Sequence, residues 1–156
     1  MNKDKLHKEL ILLGEQICRT FRAIMASSVG INDRTGTNTL MGSNLYESVD
    51  YKVSQLGSTE VVDIIVNHYV QYVNDGLMPG VWVPIRALRE WAFRKGLPTD
   101  NGFVYAVQRS IYNRGIKARP ILDRLESQIN TVWEEWANNV FFEFTEEITR
   151  MNLPIR

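Results

Sequence analysis

The sequence predicts an α+β domain in which two long helices accompany a small antiparallel sheet. Apolar residues recur every three or four positions from residue 4 to residue 26, as they do on one face of a helix. The same spacing runs from Pro120 to Met151 and predicts a helix about 45 Å long, at about 1.5 Å per residue. Between these helices, two short segments carry the alternating and β-branched patterns of strands. We expect a single domain over residues 1–156.

Each long helix has an apolar stripe that should face the core. In the N-terminal helix the stripe consists of Leu6, Leu10, Leu13, Ile17, Phe21 and Ile24. In the C-terminal helix it consists of Leu122, Leu125, Ile129, Val132, Trp136, Val140, Phe144, Ile148 and Met151, widened by Trp133 and Phe141. This helix is longer than a domain of this size needs, so we expect one end to project and pack on another molecule.

The strands are predicted at residues 48–56 and 60–66. Polar and apolar residues alternate in the first segment, which indicates a half-buried strand. Gly57-Ser58 should turn the chain, so that the β-branched second segment pairs antiparallel with the first. Residues 68–73 fit either a continued strand or a helical turn, ended by the Asp75-Gly76 turn signal.

The middle of the chain is predicted to hold a short strand and two helices. The strand covers residues 81–83, and a helix follows from Pro84, whose missing N–H is no loss in a first turn, to Gly96. The next helix covers residues 100–114 and should end at Gly115 as its cap. The inward-facing residues are predicted to be Ile85, Leu88 and Trp91, with Ala92, in the first helix and Phe103, Val107 with Ala106, and Ile111 in the second, where Val104 is a further candidate.

Residues 27–47 are rich in Gly, Ser, Thr and Asn, show no period, and predict a flexible loop. A loop of this length inside a small domain is usually functional or disordered. Its scattered apolar residues favour an arm that becomes ordered on a neighbouring subunit; the alternative is a mobile loop or a poorly formed hairpin. The residues expected to make that contact are Ile31, Asp33, Arg34, Leu40, Met41 and Leu45.

The charge is segregated although the net charge is zero. Residues 79–124 hold nine Lys or Arg against three Asp or Glu, net +6, whereas residues 125–156 hold two against six, net −4. Such patches can join copies of one chain or neutralise each other within one fold, and the basic patch could instead face DNA. The basic candidates for a partner or DNA-channel interface are Arg86, Arg89, Arg94, Lys95, Arg109, Arg114, Lys117 and Arg119. The acidic candidates on the C-terminal helix are Glu134, Glu135, Glu143, Glu146 and Glu147.

The chain carries no pattern that predicts catalysis. The glycines of the loop have the wrong spacing for a phosphate-binding motif. His7 and His68 lie on separate elements, and neither has a ligand partner at metal-site spacing. Cys18 lies on an apolar helix face, which is typical of a small core residue. We therefore expect no enzyme, no metal and no cofactor, and no apolar run approaches the ~20 residues that a membrane span requires.

A DNA-binding regulatory protein is the alternative, because residues 84–114 can be drawn as a helix-turn-helix. A recognition helix contacts bases with its N-terminal residues. Here these are residues 100–103, and Asp100 would repel phosphate. The connector over residues 96–99 also differs from the usual tight turn.

An ordered set of features over about residues 65–125 resembles the second half of the small tail-completion (neck) and minor tail proteins of tailed bacteriophages. The features are Tyr72-Val73-Asn74-Asp75-Gly76, Pro79-Gly80, Trp91, Arg94-Lys95-Gly96, Ile111-Tyr112, the hinge Gly115-Ile116-Lys117-Ala118-Arg119-Pro120, and Leu122-Asp123. The chain departs from that pattern in three places. Asn74-Asp75 stands where a glutamate usually precedes the glycine, Ile121 stands where a phenylalanine usually follows the hinge, and the C-terminal helix is longer.

The resemblance implies a virion structural protein that works by oligomerisation. Such proteins form rings, here of about six or twelve copies, at the head–tail junction or at the top of the tail. The implied partners are copies of the chain itself and neighbouring neck, portal-adaptor or tail-tube proteins. Non-specific contact with DNA in the channel is also implied, and a membrane is not. The implied location is the virion, and the host cytoplasm during assembly.

Charge reversal of the basic segment tests whether it joins copies of the chain. If Arg86, Arg89 and Arg94 meet the acidic C-terminal helix of the next copy, replacing them with Glu should weaken assembly, because like charges would then face each other. Analytical ultracentrifugation of the variant and the wild type measures this. Unchanged assembly would contradict the pairing.

Overall fold

The α+β prediction is confirmed in a computed structural model, which describes residues 2–68 and 70–151 together with their side chains, those of Ile148 and Met151 excepted. The described elements are α1 (Lys3–Ala26), a 3-10 helix (Ser28–Gly30), α2 (Asn44–Glu47), β1 (Asp50–Leu56), β2 (Thr59–Ile65), α3 (Val70–Asp75), α4 (Ile85–Arg94), α5 (Asn101–Arg114) and α6 (Ile121–Met151).

The chain forms two compact units where the sequence led us to expect one domain. The first, the helical-sheet unit, contains residues 1–70 and 121–156. The second, the middle unit, contains Gln71–Pro120. The middle unit therefore interrupts the first in sequence.

The helical-sheet unit is built on one buried helix. α1 packs against β1, β2 and α6. Its buried residues Leu10, Leu13 and Ile17 form a cluster with Val132 of α6. The partly buried residues that complete this cluster come from all four elements and are Leu6, Val53, Val62, Ile64, Ile129 and Trp136. Trp136 also donates its indole N–H to the Glu9 carbonyl at 3.0 Å, which fixes α6 along α1.

The sheet consists of the predicted hairpin and lies very close to α1. β1 and β2 pair antiparallel, with Val53 opposite Val62, around the Gly57-Ser58 turn. The ring of Tyr51 covers Gly14 of α1, where an added Cβ would lie 2.8 Å from the ring carbon Cγ. Any side chain at position 14 would push the sheet away from the helix.

The segment after α1 is held by its own hydrogen bonds. Ile31 and Asn38 form an antiparallel bridge. The Asn38 side chain donates to the carbonyls of Met25 and Ser27 (2.9 and 3.2 Å) and accepts from the N–H groups of Leu40 and Met41 (3.0 and 2.9 Å). This one amide therefore ties the loop back to the end of α1 and directs Leu40 into the core, where it is buried.

The middle unit is closed by a pair of chain segments that we call the glycine clasp (residues 73–80 and 112–119). Leu77 and Ile116 exchange backbone hydrogen bonds of 2.9 and 2.8 Å. The Gly80 N–H donates to the Tyr112 carbonyl (2.7 Å). Gly76 and Gly115 both have positive φ (70° and 72°) and sit where a Cβ would collide with the opposite segment. Only glycine allows the two segments to approach this closely.

The predicted helices α4 and α5 pack on each other within the middle unit. The Asp100 side chain caps α5 by accepting from the Phe103 N–H (3.1 Å), and Gly115 ends it, as predicted. The buried residues at this contact are few: Leu88, Ala92 and Val104. Most of the apolar surface of α4 and α5 is left partly or fully exposed.

Several sequence predictions are corrected by the structure. Residues 81–83 form no strand, since their backbone has no ladder partner and the Val83 carbonyl instead accepts from the Gln108 side chain (2.7 Å). Residues 70–75 are helical, which settles the open alternative at that point. Trp91 is 36% exposed and is not buried on the inner face of α4, whereas Ala92, which was predicted beside it, is fully buried. Trp133 and Phe141 are exposed and do not widen the buried stripe of α6, and Phe144, predicted in the stripe, is exposed too. The predicted stripe positions Ile148 and Met151 lie outside the described side chains.

Replacement of Gly115 by Ala tests the glycine clasp. We expect Gly115→Ala to lower the free energy of unfolding by at least about 3 kcal/mol, because a positive-φ penalty of about 1–2 kcal/mol adds to a backbone collision. Gly96→Ala is the matched control: Gly96 also has positive φ (66°), but no atom lies within 4 Å of the added Cβ. Urea denaturation together with amide exchange of residues 71–120 measures both, and equal losses would contradict the clasp.

Candidate interaction surface of the middle unit

The middle unit has an open groove along one face of α5. The helical repeat brings Tyr105, Arg109 and Asn113 to the same face, since residues four apart are neighbours on a helix. The groove lies between this face and Trp82 and has a volume of about 660 Å³. Its lining consists of Trp82, Gly102, Tyr105, Ala106, Gln108, Arg109, Ser110, Asn113 and Arg114.

Trp82 is held in the groove by one contact of its ring and by a hydrogen bond to the backbone of the next residue. Its ring stacks on Tyr112, with ring centroids 4.1 Å apart and planes at 22°. The Gln108 amide holds the backbone of the neighbouring Val83. Even so, Trp82 and Tyr105 are each 56% exposed. A rigid aromatic side chain that is held in place and left exposed is typical of a binding surface.

Two of the predicted basic residues belong to this groove and are available for a partner. Among the described residues, the side chains of Arg109 and Arg114 have neither an ion pair nor a hydrogen-bond partner, and both are exposed. The middle unit as a whole holds eight Lys or Arg against three Asp or Glu, a net charge of +5. The positive charge of the groove is therefore not neutralised within the unit.

The other predicted basic residues do not line the groove. Arg86 pairs with Glu90 one turn along α4 (3.3 Å), and Arg89 donates to the Thr99 carbonyl and to the Asn101 side chain (3.3 and 2.6 Å). Arg89 thus links α4 to the start of α5. Arg94 and Lys95 are exposed at the end of α4, and no described residue pairs with either. Lys117 and Arg119 belong to the glycine clasp, where the Arg119 N–H donates to the Val73 carbonyl (2.9 Å).

The acidic candidates on α6 fall into two groups. Glu143 forms an ion pair with Lys5 of α1 (2.8 Å) and raises the pKa of that lysine. Glu146 pairs with Arg150, and Glu147 is half-buried. These three are therefore engaged within the helical-sheet unit, whereas Glu134 and Glu135 are exposed and have no ion pair among the described residues.

The outward face of α6 carries aromatic residues. Phe141 and Phe142 are 67% and 63% exposed. Trp133 is exposed too, but its ring lies against that of Trp136, with centroids 5.1 Å apart, next to the side of α6 that packs on α1. The helical spacing predicted Trp133 and Phe141 in the buried stripe and did not single out Phe142. The available signal was the width of the stripe, since one helix face cannot bury residues at 132, 133, 136, 140, 141 and 144 together.

The structure buries some of the residues predicted to form the assembly loop and exposes others. Leu40 and Leu45 are buried, because Asn38 and the short helix α2 direct them inward, so they are not partner contacts. Ile31 and Met41 are exposed, and Asp33 and Arg34 lie at the tip of the turn.

The helix-turn-helix alternative also meets a geometric difficulty. The first turn of α5, which would be presented to bases, begins with Asp100 as its cap, and Asn101 accepts a hydrogen bond from Arg89. The groove lies further along α5, and its polar groups are not those of a helix N-terminus.

Outside the groove, the titratable residues that the structure describes form no convergent site. His7 contacts Glu60 on β2 (3.2 Å), which the sequence analysis did not anticipate. Cys18 is buried, as predicted for a core residue. Among the described residues no cluster of His, Cys, Asp and Glu could hold a metal ion, and none of their helices is both long and apolar enough to cross a membrane.

No protein-family model, curated protein or solved structure matches this chain.

The alkaline stability of the helical-sheet unit depends on two buried or partly buried groups. Burial raises the pKa of the Cys18 thiol above its ordinary value of 9.0. Burial, together with the hydrogen bond to Glu15, raises the pKa of the Tyr51 hydroxyl above 10.0. Because the unfolded chain loses these protons first, the stabilisation is complete below about pH 9 and decreases as the pH rises further.

We therefore expect the free energy of unfolding to fall between about pH 9 and pH 11, as measured by urea denaturation. In the plot of unfolding free energy against pH, Cys18→Ala should make the decrease at about pH 9 less steep, and Tyr51→Phe should make the decrease at higher pH less steep. Each variant can be less stable than the wild type at every pH without changing this expectation. Three parallel pH profiles would contradict the assignment.

Proposed function

We propose that the chain is a structural virion protein of a tailed bacteriophage that forms a ring at the head–tail junction or at the top of the tail. The observation that carries this proposal is that the two units have opposite net charges and that each exposes aromatic side chains. The middle unit has net charge +5 and exposes Trp82 and Tyr105, whereas the helical-sheet unit has net charge −5 and exposes Trp133, Phe141 and Phe142.

Surfaces of this kind are suited to contact between unlike faces of neighbouring copies. A contact between two different patches is heterologous, and it closes into a ring when the rotation between copies divides a full turn. Exposed aromatic clusters with charged margins are typical of protein–protein interfaces. The phage assignment rests on the ordered motifs of residues 65–125, several of which form the glycine clasp.

A second candidate is a small DNA-binding regulatory protein, and the groove is the observation that favours it. Arg109 and Arg114 could contact phosphates, and the exposed rings of Trp82 and Tyr105 could stack on bases. The capped and engaged first turn of α5 does not favour readout of bases by a recognition helix.

The native mass of the purified chain as a function of concentration distinguishes the two candidates. We expect a closed oligomer of about six or twelve copies to accumulate as the concentration rises, and its formation to weaken with salt, because opposite charges contribute to the contact. Sedimentation velocity at low and high ionic strength measures this.

A chain that stays monomeric throughout would contradict the proposed assembly. If that monomer also bound duplex DNA with an affinity falling steeply with salt, the second candidate would replace the first.

A further inference from the structure

The two exposed aromatic surfaces of the chain have complementary chemistry. The groove offers two cationic side chains beside two fixed rings: Arg109 and Arg114 with Trp82 and Tyr105. The outward face of α6 offers aromatic rings and a carboxylate. On that helix Glu134 and Phe141 lie about two full turns apart, so they share a face, and Phe142 flanks it.

α6 is apolar on two sides, and only one side is used within the helical-sheet unit. Ile129, Val132 and Trp136 pack against α1. The opposite side holds the exposed rings of Phe141 and Phe142, and Glu134 has no charge partner there among the described residues. Over its length α6 contains two Arg against seven Asp or Glu, net −5, whereas the middle unit is net +5.

We propose that the outward face of α6 (Glu134, Phe141 and Phe142) docks into the groove of a second copy of the chain. Arg109 and Arg114 pair with Glu134 and lie over the aromatic rings of the incoming helix, since a guanidinium is attracted to the face of an aromatic ring. Trp82 and Tyr105 pack against Phe141 and Phe142. This inference rests on the proposed function, because it requires that copies of the chain associate. It also specifies which two surfaces meet.

The charge pattern favours a second copy over other occupants of the groove. The chain itself supplies an uncovered helix face whose negative charge complements the arginines of the groove and whose aromatic rings can pack on Trp82 and Tyr105. Tryptophan, tyrosine and arginine are also the residue types that contribute most to protein–protein contacts. Because each copy offers one groove and one helix face, the contact is repeated from copy to copy.

Two double variants, each defective in one surface, test the pairing. Arg109→Glu/Arg114→Glu reverses the positive charge of the groove, and Phe141→Gln/Phe142→Gln removes the aromatic rings from the helix face. All four side chains are exposed, so each variant should keep the wild-type circular dichroism. We expect each variant alone to associate at least about 30-fold more weakly than the wild type, measured by sedimentation equilibrium.

An equimolar mixture of the two variants provides the decisive measurement. Each variant keeps the surface that the other lacks, so one intact contact remains per pair, and the mixture should form a dimer and nothing larger. Lys3→Glu/Lys8→Glu is the matched control for the arginine variant, because it changes the net charge by the same amount as Arg109→Glu/Arg114→Glu. Both lysines are exposed and lie outside both surfaces, so this variant should associate as the wild type does.

Three results would overturn the inference, and they separate it from the proposed function. If either double variant associates as the wild type does, its surface is not used, and the proposed assembly stands on other surfaces. If the mixed variants remain monomers, the two surfaces do not meet each other, and the proposed assembly again stands. If the wild type itself is monomeric at every concentration, both the inference and the proposed function are wrong.

Discussion

The structure of the helical-sheet unit depends on the burial of one face of α1. A two-stranded sheet is marginally stable by itself, so the β1–β2 hairpin requires a surface to cover its inner side. α1 provides that surface, and its Leu10, Leu13 and Ile17 contact residues of the sheet and of α6 in one cluster. Burial of an apolar side chain of this size contributes about 1.5–3 kcal/mol, so these few positions account for much of the unit's stability. The absence of a side chain at Gly14 lets Tyr51, and with it the sheet, approach the helix.

The middle unit is held in a different way. Its apolar core is small, and the close backbone contact of the glycine clasp supplies what the core does not. Because only a few residues of α4 and α5 are buried, most of their side chains face outward, and those of α5 line the groove. In the proposed assembly the covering of this surface by another copy would add the apolar burial that the isolated unit lacks.

Local patterns in the sequence predicted most of the elements. The period of α1, the alternation of β1, and the Asp100 and Gly115 caps all depend on neighbouring residues, and each is confirmed. Features that depend on distant contacts were not predictable in this way. The burial of Leu40 follows from the bonds of Asn38, and the stacking of Trp82 follows from a tyrosine thirty positions along the chain. Of the candidate surface, the sequence identified Arg109 and Arg114 by their charge. The helical spacing places Tyr105 beside Arg109, but no local pattern places Trp82 there, because its position depends on how residues 81–84 run past α5.

The glycine clasp also has a topological consequence. Because the Arg119 N–H contacts the Val73 carbonyl, the chain enters and leaves the middle unit at neighbouring points. The unit is thus an insertion in a scaffold of α1, the hairpin and α6, and its length does not determine the spacing of the elements on either side. Domains whose termini lie close together can be exchanged or enlarged without disturbing their host. The same scaffold could therefore carry middle units of different size and surface, and recognition could diverge while the scaffold stays unchanged.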